Sequence, residues 1–427
     1  MIAASLRRGW CPGALRPMLT GDGLLVRIRV AGARLDLDRV EAIADCAACF
    51  GNGVIEISSR ANLQLRGVTD DSLPALQRRL DELGLLDADA TVEGVRNIIV
   101  SPLSDIDPTA VIDIAAVVAA LEARFGEDAA LRRLPPKFGF LIDGGGALLL
   151  DDVEADVRFE AFRSEEGPRF AIVLAGAEDI AAQCSLGEVP DVATALARAF
   201  LEKVGDGDDA PRRMRGLLAQ CGATSVFANA GLAFLPRPHP RRDARPLDYL
   251  GVHAFGASYC VGASPSLGRM IAADLKVLSQ EARRRRADDI RLTPWRALIV
   301  TGLDRFGAED LAAALARRGF ILDPADPRLA IVACSGAPAC ANAARAVQTD
   351  ALEFASSLVS GAGTALHLSG CEKGCAHPKA APFTLVARES GYDLVLNGKA
   401  SDKPYREALS IEEAASLLAR ETRMPSA

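Results

Sequence analysis

The sequence predicts an α+β fold made by duplication, on three observations: a segment that recurs without a gap, short runs of alternating apolar and polar residues, and amphipathic helical patterns between them. Ile55 to Leu86, IEISSRANLQLRGVTDDSLPALQRRLDELGLL, aligns with Ile290 to Ile321, IRLTPWRALIVTGLDRFGAEDLAAALARRGFI. Ile55 meets Ile290, Leu63 meets Leu298, Gly67 meets Gly302 and Gly84 meets Gly319. Both copies read as a strand, a glycine turn, an amphipathic helix and a glycine stop. Helical patterns at Asp107–Phe125, Asp191–Val204 and Ala341–Leu358 supply helices to back the sheets. Lys137–Ile142 and Ala147–Leu150, flanking Gly144, Gly145 and Gly146, read as a hairpin. Leu235 to Pro246, LPRPHPRRDARP, has no periodicity and reads as a linker between the halves.

The copies differ on one face. In the first, alternation puts Glu56, Ser58, Arg60, Asn62, Gln64 and Arg66 on one side of an extended strand and Ile55, Ile57, Ser59, Ala61, Leu63 and Leu65 on the other. In the second, Arg60, Asn62 and Gln64 become Trp295, Ala297 and Ile299. A pseudo-symmetric pair with one functional face is the simplest reading; a solvent-washed face is the plain alternative.

At 427 residues the chain is long enough for about three packed units. Its 49% hydrophobic and 25% charged residues match soluble domains. No uncharged run reaches the roughly 18 residues of a membrane span, and the N-terminal residues lack a secretory apolar stretch, so a cytoplasmic protein without membrane contact is expected. The net charge of −7 argues against nucleic-acid partners, so an anionic ligand must be held by a local basic cluster. Arg283 to Arg286 end a helical pattern that starts near Arg269 and read as a solvated helix end. No dinucleotide fingerprint is present, so reducing equivalents are expected from an external electron donor.

The ten cysteines call for a reading in metal or redox chemistry, because disulfides are rare in a reducing compartment. Cys334 and Cys340 lie in ACSGAPACANAARAV, and Cys371 and Cys375 in HLSGCEKGCAHP. Four thiolates in small-residue loops suit a 4Fe-4S cluster, whose sulfurs need close backbone N–H groups. Structural zinc, the competing ligand, favours tighter pairs. A helix starting near Ala341 would turn its positive end to the site. Cys46 and Cys49 form an isolated CxxC that reads as packing.

The cysteine spacing, the repeat and the Arg60 strand together resemble the sulfite/nitrite reductase superfamily over nearly the whole chain. That resemblance implies two ferredoxin-like half-repeats and two cluster-domain halves about a pseudo-twofold axis. It divides the chain into residues 13–90 and 247–325 as the half-repeats, 91–234 and 326–427 as the cluster-domain halves, and 235–246 as the linker. SSRANLQLRG is similar to the family's Thr-Thr-Arg strand and places Arg60 and Gln64; VRNIIVSPL places Arg96. LPPKFGF is similar to its Lys-x-Lys strand but keeps Lys137 alone, with Gly139 at the second lysine. The resemblance makes Arg60, Arg96 and Lys137 the expected catalytic residues, Arg60, Asn62, Gln64, Arg96 and Lys137 the expected substrate contacts, and the four cysteines the cluster ligands.

RRGWCPGALRPMLTGDGLLVRIRV, LPPKFGFLIDGGG and CSGAPACANA are similar to a branch that works on a tetrapyrrole of cobalamin synthesis. The likeness implies an O2-dependent hydroxylation with lactone closure and adds a mononuclear non-haem iron, for which His377 is the best-placed ligand. Polycarboxylate substrates suit an arginine cluster on an otherwise acidic protein. Three function classes follow: a tetrapyrrole monooxygenase, a sirohaem-dependent sulfite or nitrite reductase, and a non-catalytic iron-sulfur electron carrier.

Overall fold

The computed structural model describes residues 10–205, 207, 210–238, 249–358 and 364–421. The first repeat runs β1 (Met18–Thr20), β2 (Gly23–Ile28), β3 (Arg34–Leu35), α1 (Leu37–Phe50), β4 (Val54–Ile57), β5 (Leu63–Val68) and α2 (Leu73–Glu82). A larger half follows: α3 (Ala90–Val95), β6 (Ile98–Val100), α4 (Ala115–Glu127), α5 (Ala129–Arg132), β7 (Phe140–Asp143), β8 (Val157–Ser164), β9 (Gly167–Leu174), β10 (Ala177–Cys184), α6 (Val189–Val204), α7 (Met214–Cys221), α8 (Ala223–Asn229) and β11 (Phe234–Pro236). The second repeat is β12 (Gly251–Phe255), β13 (Ser258–Ala263), β14 (Arg269–Ile271), α9 (Ala272–Arg284), β15 (Ile290–Leu292), β16 (Leu298–Leu303) and α10 (Arg305–Arg317). The last half holds β17 (Ile331–Ala333), α11 (Val347–Glu353), β18 (Leu366–Ser369), β19 (Ala381–Arg388), β20 (Gly391–Gly398), β21 (Arg406–Leu409) and α12 (Ile411–Glu421).

The duplication extends beyond the segment that shows it in sequence. The left-handed residues recur in register: Ala61 and Arg296 have φ of 53° and 62°, and Gly67 and Gly302 have 66° and 78°. The two repeat sheets are ordered β1-β2-β5-β4-β14 and β12-β13-β16-β15-β3. Each repeat therefore lends its third strand to the other's sheet, Met270 pairing with Ile55 and Leu35 with Ile290. Helices α1 and α9 close the seam: Ser279 donates to the Leu37 carbonyl at 2.8 Å and Lys276 meets Asp45 at 2.7 Å.

The larger halves share one plan as well. In each sheet the first three strands run parallel and the next two antiparallel, as β6-β7-β8-β9-β10 and β17-β18-β19-β20-β21. Ser101 follows β6 as Cys334 follows β17. The Gly144 N–H donates to Ser101 Oγ at 2.9 Å, and the Gly370 N–H donates to Cys334 Sγ at 3.1 Å.

Several local readings are corrected. The run from Ile55 to Arg66 is a hairpin, not one strand, because Ala61 turns left-handed and Ser58 Oγ accepts the N–H groups of Arg60 and Asn62. The three glycines at 144–146 do not reverse the chain into a hairpin; β7 runs parallel to β8. Helix α11 starts at Val347 rather than near Ala341, and α4 at Ala115 rather than Asp107, whose carboxylate instead accepts the Thr109 and Ala147 N–H groups. The helical pattern placed near Arg269 begins at Ala272, after β14. Of the expected linker, Leu235 and Pro236 belong to β11, and residues 239–246 lie outside the described residues.

Candidate active site

Strand β2 alternates Val26 and Ile28, which join the core, with Arg27 on the opposite face, and Arg29 continues that face just past the strand's end. Register sets Arg27 across from Gln64, and its guanidinium donates to Gln64 Oε1 at 2.7 Å. Gln64 in turn donates to Glu56 at 3.1 Å. Arg60, in the hairpin turn, donates to the Lys137 carbonyl at 3.1 Å, which joins the repeat to the larger half. Burial lowers both the Arg27 and Arg60 guanidinium pKa values, and the neighbouring Cys11 opposes the shift in each.

Arg29 defines the character of this face. It is 4% exposed, and its Nη1 donates to Asn97 Oδ1 at 2.7 Å, while Nε and Nη2 have no partner. Burial, then the Arg27 charge, push its pKa down to about 10, so it stays charged at neutral pH. Two buried, unsatisfied donors on a cation are costly unless an anion meets them. Asn97 holds the arrangement by donating to the Pro136 and Phe138 carbonyls at 2.9 and 3.1 Å.

Arg96 lies apart from this face. Asp87 and Glu122 each meet it at 2.8 Å, and it also donates to the Arg29 carbonyl. It braces the strand that carries Arg29 and has no charge to spare for a ligand. The site arginine missed in the sequence is Arg29; its signal is the alternation in VRIRV. Asn62 is buried at 7% exposure and Lys137 is exposed.

Arg66, 1% exposed, carries the repeat onto the cysteine loop. It pairs with Asp22 and Glu56 at 2.9 and 3.3 Å and donates to the Ala339 carbonyl at 3.0 Å. The Gly21 N–H donates to the same carbonyl at 3.1 Å. Cys334 and Cys340 thus sit on a loop bolted to the sheet that bears the arginines.

The four thiols are brought into mutual electrostatic range at the ends of β17 and β18. Burial raises the Cys334 pKa, against the lowering N–H groups of Gly370 and Gly336, with Cys340 and Cys371 adding to the rise. Burial also raises that of Cys375, then Cys371 and Cys340, while Lys373 and Lys137 oppose it. Among the described residues no group of three or more His, Cys, Asp or Glu side chains is drawn close enough to hold one metal ion. A single tetrahedral zinc would need its thiolates at such contact, whereas each cysteine of a cubane meets a different iron. Peptide N–H groups aimed at Cys334 Sγ and the small residues of both loops fit the larger group. Among the described residues His377 likewise has no three-residue ligand set for a mononuclear iron; its neighbour is His367, with ring centroids 5.6 Å apart.

The comparisons agree with this construction. Residues 16–83 match the nitrite/sulfite reductase ferredoxin-like half domain. The fold resembles the solved Mycobacterium tuberculosis NirA protein, with a TM-score of 0.77 at 22% identity, over 94% of this chain and 80% of that one. A ferredoxin–nitrite reductase of Synechococcus elongatus is 26% identical over 92% of this chain and 83% of its own length. A sulfite reductase [ferredoxin] of Mycobacterium tuberculosis is 26% identical over 74% of this chain and 59% of its own. The fold and the repeat thus define an oxidoreductase of the nitrite/sulfite reductase class. Within it, a precorrin-3B synthase of Sinorhizobium sp is 36% identical over 94% of this chain and 85% of its own length. The chain belongs to the precorrin-3B synthase family.

Proposed function

We propose that the chain is an iron-sulfur monooxygenase of aerobic cobalamin synthesis, converting precorrin-3A to precorrin-3B with O2. One oxygen atom is retained at the C20 meso carbon, a ring-A acetate closes the lactone, and the other oxygen leaves as water with two electrons from an external donor. The observation that carries this reading is Arg29, a buried cation with two unpaired donors, in a row with Arg27 and Arg60 and joined through Lys137 to the cysteine loops. A polycarboxylate macrocycle supplies the acceptors such a row lacks. In this reading Arg27, Arg29, Arg60 and Lys137 bind ring carboxylates, Asn62 and Gln64 orient the rim, and Arg96 positions Arg29. The cluster, held by Cys334, Cys340, Cys371 and Cys375, supplies electron transfer when bound.

Each charge-assisted bond to a ring carboxylate is worth about 1.5–3 kcal/mol. Arg60→Ala is expected to weaken tetrapyrrole binding roughly ten- to a hundredfold while iron and sulfide stay in place. The test is anaerobic titration of wild type and Arg60→Ala with precorrin-3A, then O2 exposure and mass analysis. An unmodified tetrapyrrole from reduced, cluster-loaded wild type, with turnover of sulfite or nitrite, would move the assignment to the sirohaem reductases. Single Cys→Ser changes at the four cysteines test the cluster: unchanged iron and sulfide content refutes it.

A further inference from the structure

Strand β18 has two unlike faces. Leu366 and Leu368 enter the core of the last half, while His367 and Ser369 face the Cys371–Cys375 loop, where Ser369 Oγ donates to the Cys371 carbonyl at 2.6 Å. His367 is fully buried, and neither ring nitrogen has a hydrogen-bond partner. It lies against the loop: a Cβ placed on Gly374 would be 3.6 Å from His367 Cε1. The half-buried His377 ring stands beside it.

Packing does not require an imidazole here. The first half builds the same strand as β7, whose register with β6 matches that of β18 with β17, and the position of His367 is taken by Leu141, equally buried. The loop above differs between the two places, with cysteines after β18 and glycines after β7, and the next strand sets Thr384 beside His367 and Arg158 beside Leu141. Leaving two polar nitrogens unsatisfied where leucine fits is unfavourable unless something nearby accepts or donates.

We propose that His367 is a positioning residue for the metal centre of the Cys371–Cys375 loop, supplying a hydrogen bond from beneath that raises the cluster's reduction potential. The inference rests on the cluster assignment above. Hydrogen bonds to cluster and cysteine sulfurs stabilise the reduced, more negative state, so their loss makes reduction harder. A neutral imidazole carries one nitrogen to donate and one to accept.

The experiment is potentiometric titration, followed by electron paramagnetic resonance, of cluster-loaded wild type, His367→Leu and His367→Gln. His367→Leu copies the residue that the fold accepts in its other half, so iron and sulfide content should hold while the midpoint potential moves negative. His367→Gln, which retains an N–H donor, should recover part of the shift. If His367→Leu does not fold, His367→Phe, a ring without a donor, takes its place. A wild-type potential in the loaded Leu or Phe variant, or a Gln variant displaced as far as they are, overturns the proposal and assigns the imidazole to a buried water. Cys→Ser variants that keep their iron would defeat the cluster assignment instead.

Discussion

The two ferredoxin-like repeats share a backbone and differ in what fills the space over their sheets. Over the first lie Arg27, Arg29, Arg60, Asn62 and Gln64, with donors to spare. Over the second the matching positions are Gly262, Ser264, Trp295, Ala297 and Ile299, and the space is packed. Tyr249 stacks on Trp295 with centroids 4.9 Å apart and an interplanar angle of 11°, and Trp295 donates to Asp152 at 3.0 Å. Gly262 is required there, since a Cβ would stand 1.7 Å from the Tyr249 carbonyl oxygen. The chain fills one copy with its own side chains and keeps the other lined with cations. A duplicated fold thus acquires one site by closing the second.

Exchanging residues between the copies tests that contrast. The largest effect is expected from Arg29→Ser combined with Arg60→Trp, which moves the residues of the closed copy into the open one. Two lost charge-assisted bonds of about 1.5–3 kcal/mol each should weaken tetrapyrrole binding roughly a hundred- to ten-thousandfold in anaerobic titration. A loss below tenfold would mean that the row does not hold the ligand. Next comes Gly262→Ala, which overpacks the closed copy and should cost about 3 kcal/mol in urea unfolding; an unchanged midpoint would show that Tyr249 is not fixed in its place. Trp295→Ala should cost about 2 kcal/mol, less than a fully buried tryptophan because its side chain is half-buried. It should leave tetrapyrrole stoichiometry unchanged, whereas a second bound equivalent would show that plugging alone closes that copy. Smallest is Ser101→Cys, under about 1 kcal/mol by thermal melting. It restores the thiol found at Cys334, yet iron content should not rise, since Gly145 stands where the second loop has Cys371.

Much of this contrast could be read from the sequence, and the exceptions have physical reasons. The ungapped glycines marked the duplication because left-handed positions recur wherever the backbone does. Arg60, Asn62 and Gln64 stood out against Trp295, Ala297 and Ile299 for the same reason. The hairpin between them was hidden, because period-two alternation continues through a tight turn. Arg29 escaped because a buried arginine in a strand looks like any polar residue of a half-buried sheet. Its value as a site residue comes from Asn97, which is distant in sequence and near in space. His367 escaped because the pattern of a lone histidine between leucines does not reveal whether its nitrogens find partners. The convergence of Asp87 and Glu122 on Arg96 is likewise invisible to any local pattern.

The exchange of β3 and β14 between the repeat sheets sets an order of events during synthesis. When the first repeat leaves the ribosome, the strand that will complete its sheet beside β4 is still to be made, in the second repeat. An open strand edge is an invitation to pair with the wrong chain. The nascent protein must therefore carry an unfinished sheet through the whole of the first larger half, until β14 arrives to pair with β4. A protein cut between the repeats would yield two pieces that each lack an edge, and their reassembly would need both to be present together.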